Sequence, residues 1–189
     1  MAEVIARPLA DGPLAVDLAN TLWNSDGEAF DWLATPGAVE QFCIEHGVAF
    51  ASHDGEAIEQ ALANSRSLIR RLFEVLAGSD NEDPADLRVD IDKALADTRA
   101  RVHFEDGELH LRNVDTRPTF TLATDALLNG LELGQHNPDR LRCCSGEACI
   151  LWFWDSSRGG RRRWCSMDRC GNRVKVQRHY EKSRNPNDH

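Results

Sequence analysis

Two pairs of closely spaced cysteines restrict this chain more than any other feature of its sequence. The pattern is Cys144-x4-Cys149-x15-Cys165-x4-Cys170, and two short pairs separated by about 15–20 residues are typical of a four-cysteine zinc site. A short loop lets both thiolates of a pair reach one ion at about 2.3 Å, and the intervening segment folds back to complete the tetrahedron. Four thiolates leave no open coordination position, so the sequence predicts one structural Zn²⁺ rather than a hydrolytic metal.

The first ligand of this site is ambiguous, because either Cys143 or Cys144 could pair with Cys149. The equal four-residue spacers favour Cys144. The alternatives to a metal site are two disulfides or four unrelated buried thiols. The first residues lack the basic start and apolar core of an export signal, which predicts a cytoplasmic location and argues against disulfides. Cys43 is expected to be a small buried apolar residue.

Charge is distributed unevenly along the chain. Residues 140–189 contain 12 Lys and Arg against 5 Asp and Glu, whereas the rest contains 10 against 26. A basic segment attracts polyanions through phosphate contacts and counterion release. The alternative is that it docks on the acidic part of the same chain. The asymmetry and the break at Asn137-Pro138 predict two units, residues 1–138 and 139–189.

Apolar periodicity predicts that the first unit is mainly helical with a small β-hairpin, which makes the chain α+β overall. The clearest helix has Asp54 as its N-cap and ends at Gly78. The turn at Asp106-Gly107 predicts a hairpin between strands at 102–104 and 109–111. Further helices are predicted at 14–23, at 36–47, from Pro84 onward and at 117–133.

The second unit is predicted to be a treble-clef zinc finger, which consists of a knuckle, a hairpin and a helix. Residues 150–154 and 161–164 are the predicted strands, and 171–181 the helix. Because a module of about 50 residues buries little apolar surface, metal binding should supply much of its folding free energy.

The residues around the cysteines resemble the CGNR zinc-finger family. The matching residues besides the first three cysteines are Phe153, Asp155, Ser157, Arg162, Arg163, Trp164, Ser166 and Cys170-Gly171-Asn172-Arg173 followed by Lys175. Residues 14–22 are similar to the start of the ABATE domain that usually precedes this finger. The resemblance implies a bacterial transcription regulator whose finger binds DNA and whose ABATE domain acts as a ligand sensor.

The basic residues of the finger are the predicted nucleic-acid contacts, with duplex DNA as the expected partner. At helical spacing Lys175, Arg178 and Lys182 share one face of the last helix. Arg173, Val176 and Tyr180 share the opposite face. Arg173 is expected to point towards the finger's own body, and Val176 and Tyr180 to pack on the hairpin. The predicted phosphate contacts are Arg158, Arg161, Arg163, Lys175, Arg178 and Lys182.

Two alternatives use the same basic segment. In the first, Trp152, Trp154 and Trp164, which lie between the two cysteine pairs, stack on single-stranded nucleic acid or RNA. In the second, the finger is a protein-interaction module with a purely structural zinc. In the simpler interpretation of the three tryptophans, at least two of them build the small core of the finger and contact no nucleic acid.

An enzyme is not expected, because the sequence has no phosphate-binding glycine loop, no Gly-x-Ser-x-Gly and no His-Glu-x-x-His. A ligand site in the first unit is the remaining possibility, with Asn20, Trp23 and Arg66 as candidates. An arginine buried among leucines needs a carboxylate partner from the protein or from a ligand. The alternative is an internal pair, such as Arg66 with Asp17, or a solvated arginine.

Overall fold

The computed structural model describes residues 5–9, 12–25, 27–50, 54–79, 81–98, 100–105, 107–113 and 118–176. The helices and strands in chain order are α1 (Leu14–Ala19), β1 (Leu22–Ser25), β2 (Glu28–Asp31), α2 (Ala38–Glu45), α3 (Gly55–Leu76), α4 (Pro84–Leu95), β3 (Ala100–Glu105), β4 (Glu108–Asn113), α5 (Pro118–His136), β5 (Leu141–Cys143), β6 (Trp152–Trp154) and α6 (172–176). A 3-10 turn at Pro138–Arg140 precedes β5, and a π turn at Met167–Gly171 leads into α6. This mainly helical region, followed by a small hairpin that carries four clustered cysteines, confirms the predicted fold class.

Helix α3 lies at the centre of the helical region, because its apolar stripe faces α1 and α5. Ile58, Leu62, Ile69 and Phe73 repeat at the spacing of one helix face and are fully buried. Helix α5 approaches closely, since a Cβ atom at Gly130 would lie 3.5–3.6 Å from side chains of α1 and α3. Burial of each large side chain contributes about 1.5–3 kcal/mol, so this stripe is a principal source of stability.

The first predicted helix was too long. Helix α1 ends at Ala19, and Leu22 and Trp23 belong to β1, which pairs antiparallel with β2. Trp23 lies opposite Phe30 with ring centroids 4.8 Å apart, a cross-strand pair that stabilises the hairpin. The signal was present in the sequence, because Asp26-Gly27 is the same turn dipeptide as the one between β3 and β4.

The other helix and hairpin predictions for residues 1–138 are confirmed with small shifts at the ends. Gly47 and Gly78 follow α2 and α3 with φ of 70° and 76°, the left-handed conformation that ends helices at glycine. Asp83 accepts a hydrogen bond from the Ala85 backbone at 2.8 Å and thereby caps α4. His103 lies opposite His110 in the β3–β4 register. None of the described helices combines the length and apolar character that a membrane-spanning helix requires.

An ion-pair cluster that ties α3 to α4 predicts a pH-dependent stability. Arg71 donates to Glu82 at 2.6 Å and to Asp90 at 2.8 Å, and these hydrogen bonds lower the pKa of both carboxyl groups. Because both pKa values are lower in the folded state than in the unfolded state, the stabilisation is present above about pH 4 and is lost as the pH falls through the folded-state values.

We therefore expect Arg71→Gln to lower the urea unfolding midpoint at about pH 7 and to have a smaller effect at about pH 3. The measurement is urea unfolding of the wild type and the variant at both pH values. Arg88→Gln is the matched control, because Arg88 forms an exposed pair with Asp92 at 3.4 Å and such pairs contribute little. An Arg71→Gln effect of equal size at both pH values would contradict this assignment.

Candidate metal centre and nucleic-acid face

The two cysteine pairs are brought together by the β5–β6 hairpin and the π turn. Cys144 directly follows β5 and Cys149 precedes β6, so the first knuckle is the loop of this hairpin. The backbone of Cys144 donates to the Leu151 carbonyl at 2.9 Å and closes that loop. Cys170 lies within the π turn, and Cys165 shortly before it. The four Sγ atoms lie within 4.8 Å of one another.

The distances and donors of this cluster fit a zinc ion. Tetrahedral coordination with Zn–S bonds of about 2.3 Å places sulfur atoms about 3.8 Å apart, and the Sγ atom of Cys165 lies 4.0 Å from that of Cys149 and 3.7 Å from that of Cys170. The N–H groups of Gly146 and Cys165 lie 3.4 and 3.3 Å from the Cys144 sulfur. A Cβ atom at Gly146 would lie 3.0 Å from the Cys170 sulfur, so a side chain there would crowd the cluster.

The ambiguity at the first ligand has a geometric answer, because Cys144 lies in the cluster and Cys143 is exposed outside it. Within the cluster the side-chain contacts with Cys149 and Cys165 lower the pKa of Cys144, and the same contacts raise the pKa of those two cysteines. Backbone N–H groups of Cys165 and Gly146 add to this effect. Such an environment favours the thiolate, which is the form that binds a metal.

The predicted hairpin of the finger was wrong in its second strand. Strand β6 pairs with β5, and residues 161–164 form no strand. The buried carboxylate of Asp155 accepts the N–H groups of Ser157 and Arg162 at 3.0 and 2.8 Å, which turns the chain back after β6. Burial raises the pKa of Asp155, but these hydrogen bonds outweigh that effect and lower it. The Arg162 guanidinium lies over the Phe153 ring at 4.7 Å, so this arginine has a structural role.

Helix α6 presents its side chains differently from the prediction. Val176 is 54% exposed, so its predicted packing on the hairpin was wrong, and Val174 is the half-buried residue. Arg173 donates to the Cys170 sulfur at 3.5 Å and so points towards the body of the finger, as expected. A cation beside this sulfur offsets part of the negative charge of a four-thiolate site.

Four of the six predicted phosphate contacts lie in the described part of the chain. Arg158, Arg161, Arg163 and Lys175 are all exposed. Among the ion pairs of the described residues, none joins these four cations to a carboxylate. The described ion pairs therefore give no support to the alternative in which the chain's own acidic part neutralises the basic segment. The other two, Arg178 and Lys182, lie outside the described residues, and so does Tyr180, which was predicted to pack on the hairpin.

A buried side chain joins the finger to the helical region. The Asn20 side chain donates to the Trp152 carbonyl at 2.8 Å and accepts from the Trp152 N–H at 2.9 Å. Trp152 is itself 3% exposed and packs on Phe73 with ring centroids 5.4 Å apart. Asn20 thus pairs with β6 as a neighbouring strand would, and Trp152 belongs to the core, as expected for these tryptophans.

Two further side chains hold the knuckle from the same side. Arg70 donates to the Ala19 carbonyl at 2.9 Å and to the Ile150 carbonyl at 3.1 Å. Asn24 donates to the Ala148 carbonyl at 2.7 Å. This junction was not predicted from the sequence, although Asn20 within an apolar stretch was a signal that its amide needs buried partners.

The candidate ligand residues of the first unit have partners within the chain. Arg66 donates two parallel hydrogen bonds to Asp31 at 2.6 and 2.5 Å, so the internal pair exists but its partner is not Asp17. Asn20 bonds the finger, and Trp23 is a buried residue of β1 that packs on Phe30. Only Trp23 of the three also lines a small pocket beside the knuckle.

These features define a class of protein, namely a mainly helical protein that carries a four-thiolate zinc finger. Residues 12–132 match the ABATE family, described as "Putative stress-induced transcription regulator", and residues 140–183 match the CGNR zinc finger. The chain therefore belongs to the ABATE family and carries a CGNR finger, in which a four-cysteine cluster indicates one zinc ion. The family is described as a regulator and not as an enzyme. No curated protein sequence matched the chain.

Proposed function

We propose that this chain is a cytoplasmic transcription regulator that binds duplex DNA through a finger whose shape depends on one structural zinc ion. The observation that carries the proposal is the set of exposed cations on the finger that have no carboxylate partner among the described residues. Cations of this kind supply most of the affinity of a protein for a phosphate backbone. The four thiolates Cys144, Cys149, Cys165 and Cys170 leave the ion no open position, so its role is structural.

The proposed phosphate contacts come from two neighbouring parts of the finger. Arg158, Arg161 and Arg163 follow the turn that the buried Asp155 organises. Lys175 lies on α6, close in sequence to the zinc ligand Cys170, and Arg178 and Lys182 extend its helical spacing in the sequence. Because the cysteine cluster and Asp155 organise the backbone beside them, Arg158, Arg161, Arg163 and Lys175 have a defined arrangement rather than that of a basic tail.

The test is the salt dependence of binding to duplex DNA. The double variant Arg161→Glu/Arg163→Glu should bind at least tenfold more weakly and should reduce the slope of log K against log salt by about 2, since each phosphate contact contributes about 0.9. Lys175→Glu/Arg178→Glu tests the helix in the same way. Arg88→Glu, which reverses an exposed cation of α4, is the matched control and should change neither quantity.

Unchanged affinity and unchanged slope in both double variants would reject the assigned face. The same titration with single-stranded DNA and RNA separates the alternatives, because tighter binding to either of them would replace duplex DNA as the partner. Weak binding to all three nucleic acids would favour a protein-interaction module.

We also propose that residues 12–132 supply the regulatory part of the protein. The side chains of Asn20 and Arg66 already form hydrogen bonds within the chain. These two residues and Trp23 would therefore mainly hold the regulatory region in its shape rather than contact a ligand. Asn20 is the direct link between this region and the strand that leads out of the knuckle. A ligand that shifts α1 would also shift the finger, because Asn20 bonds Trp152 of β6.

A further inference from the structure

The segment before α1 places the side chain of Arg7 in a closed cage of aromatic rings and carboxylates. The guanidinium carbon lies 4.6 Å from the Trp32 ring centroid and 5.0 Å from that of Phe42. One terminal nitrogen donates to Asp17 and the other to Glu45. The Arg7 side chain is only 2% exposed, so the cage encloses its occupant almost completely.

The walls of this cage are held by contacts that do not involve Arg7. The second carboxylate oxygen of Asp17 lies 2.8 Å from Nε2 of His46, and the Phe42 and His46 rings pack with centroids 4.6 Å apart. Asp17 belongs to α1, Phe42 and Glu45 belong to α2, and Trp32, which is fully buried, follows β2. Three elements of the core therefore build the site, and the segment that carries Arg7 fills it.

The Arg7 side chain does not form all of its possible hydrogen bonds within this cage. Its Nε atom is buried and has no hydrogen-bond partner, although a buried donor without a partner is costly. Two carboxylates, Asp17 and Glu45, also face a single guanidinium. Aromatic faces combined with carboxylates that accept from a planar donor are the features that recognise a guanidinium group, whereas an ammonium presents no such planar fork.

We propose that this cage is a binding site for a small molecule that bears a guanidinium group, and that Arg7 is its intramolecular occupant in this structure. A ligand enters when the segment that carries Arg7 withdraws, and its guanidinium takes the same two carboxylates and two rings. Asp17 lies on α1, three residues before Asn20, which bonds the finger strand β6. The site thus gives the regulatory part of the proposed function a ligand class, and to that extent it rests on that function.

The test is chemical rescue of the vacated cage in the full chain. Arg7→Ala should lower Tm, and millimolar methylguanidine should raise it again in a saturable manner, by about 2–4 °C. The wild type should respond much less, because Arg7 competes for the site. In Arg7→Ala/Glu45→Gln the half-saturating concentration should rise about tenfold, since one charged acceptor is lost. Methylammonium and sodium chloride at equal ionic strength are the ligand controls.

Several results would overturn the proposal: no saturable shift, an equal shift with methylammonium, or an equal shift in the wild type. Should Arg7→Ala fail to fold, Arg7→Lys retains a charge, and methylguanidine should still stabilise it more than methylammonium does. Absence of that difference would again reject the site. The DNA affinity of the wild type, measured separately, decides the proposed function and leaves the cage result unaffected.

Discussion

Replacement of Cys165 by serine, or removal of the metal with a chelator, is expected to abolish nucleic-acid binding and to lower the free energy of unfolding by about 5 kcal/mol or more. Cys165 is fully buried, and its sulfur lies between those of Cys149 and Cys170. Without the ion, three or four thiols replace four metal bonds, and the knuckle loses the link that joins Cys144 and Cys149 to Cys165 and Cys170. Zinc content by elemental analysis and unfolding in guanidinium chloride are the measurements.

Loss of the metal should also destabilise the helical region, because a residue of the finger packs on that region and bonds to it. Trp152 packs on Phe73 of α3, and Asn20 bonds both backbone groups of Trp152. We therefore expect a single cooperative transition for the metal-loaded protein and a broader one, at lower denaturant, after metal removal. Two well-separated transitions in the loaded protein would contradict this coupling.

Cys143→Ser is the matched control for this prediction. The residue neighbours a metal ligand in sequence, yet it is exposed and lies outside the four-sulfur cluster. The variant should retain one zinc ion per chain and a wild-type unfolding midpoint. Loss of zinc from Cys143→Ser together with its retention in Cys144→Ser would reverse the assignment of the first ligand.

Asn20→Ala is expected to destabilise the protein by about 2–4 kcal/mol, because it leaves the buried N–H and C=O groups of Trp152 without partners. The amide of Asn20 is the only side chain described as bonding these two groups, and Asn20 is 1% exposed, so water cannot easily replace it. The variant should also release zinc faster to a colorimetric chelator, since β6 leads directly out of the knuckle. Denaturant unfolding and the rate of zinc release are the measurements.

Asn24→Ala provides the comparison, because Asn24 makes one exposed hydrogen bond to the knuckle carbonyl of Ala148. It should cost less than about 1 kcal/mol and leave zinc release nearly unchanged. Asn20→Asp should recover little, since its carboxylate accepts from the Trp152 N–H but repels the Trp152 carbonyl oxygen. Equal stability of Asn20→Ala and wild type would show that the junction does not couple the two regions.

Local signals in the sequence were sufficient where one stretch of chain determines the outcome. Gly47 and Gly78 end helices because only a left-handed residue fits there, and Asp106-Gly107 sets a hairpin turn. The overlooked hairpin at Asp26-Gly27 carried the same signal. The strand predicted at 161–164 failed for a different reason, because the buried carboxylate of Asp155 takes up the Arg162 N–H group, which a strand would use.

The cysteine spacing and the residues around it were enough to predict a zinc finger after a helical region, because metal coordination depends on loop length and ligand type, both of which are local properties. The partners of the buried polar groups were decided only by the tertiary structure. Arg66 bonds Asp31 rather than Asp17, Asn20 bonds a strand 132 residues away, and Arg7 enters an aromatic cage. Such groups require a partner wherever they are buried, but periodicity does not say which elements will bring one within reach.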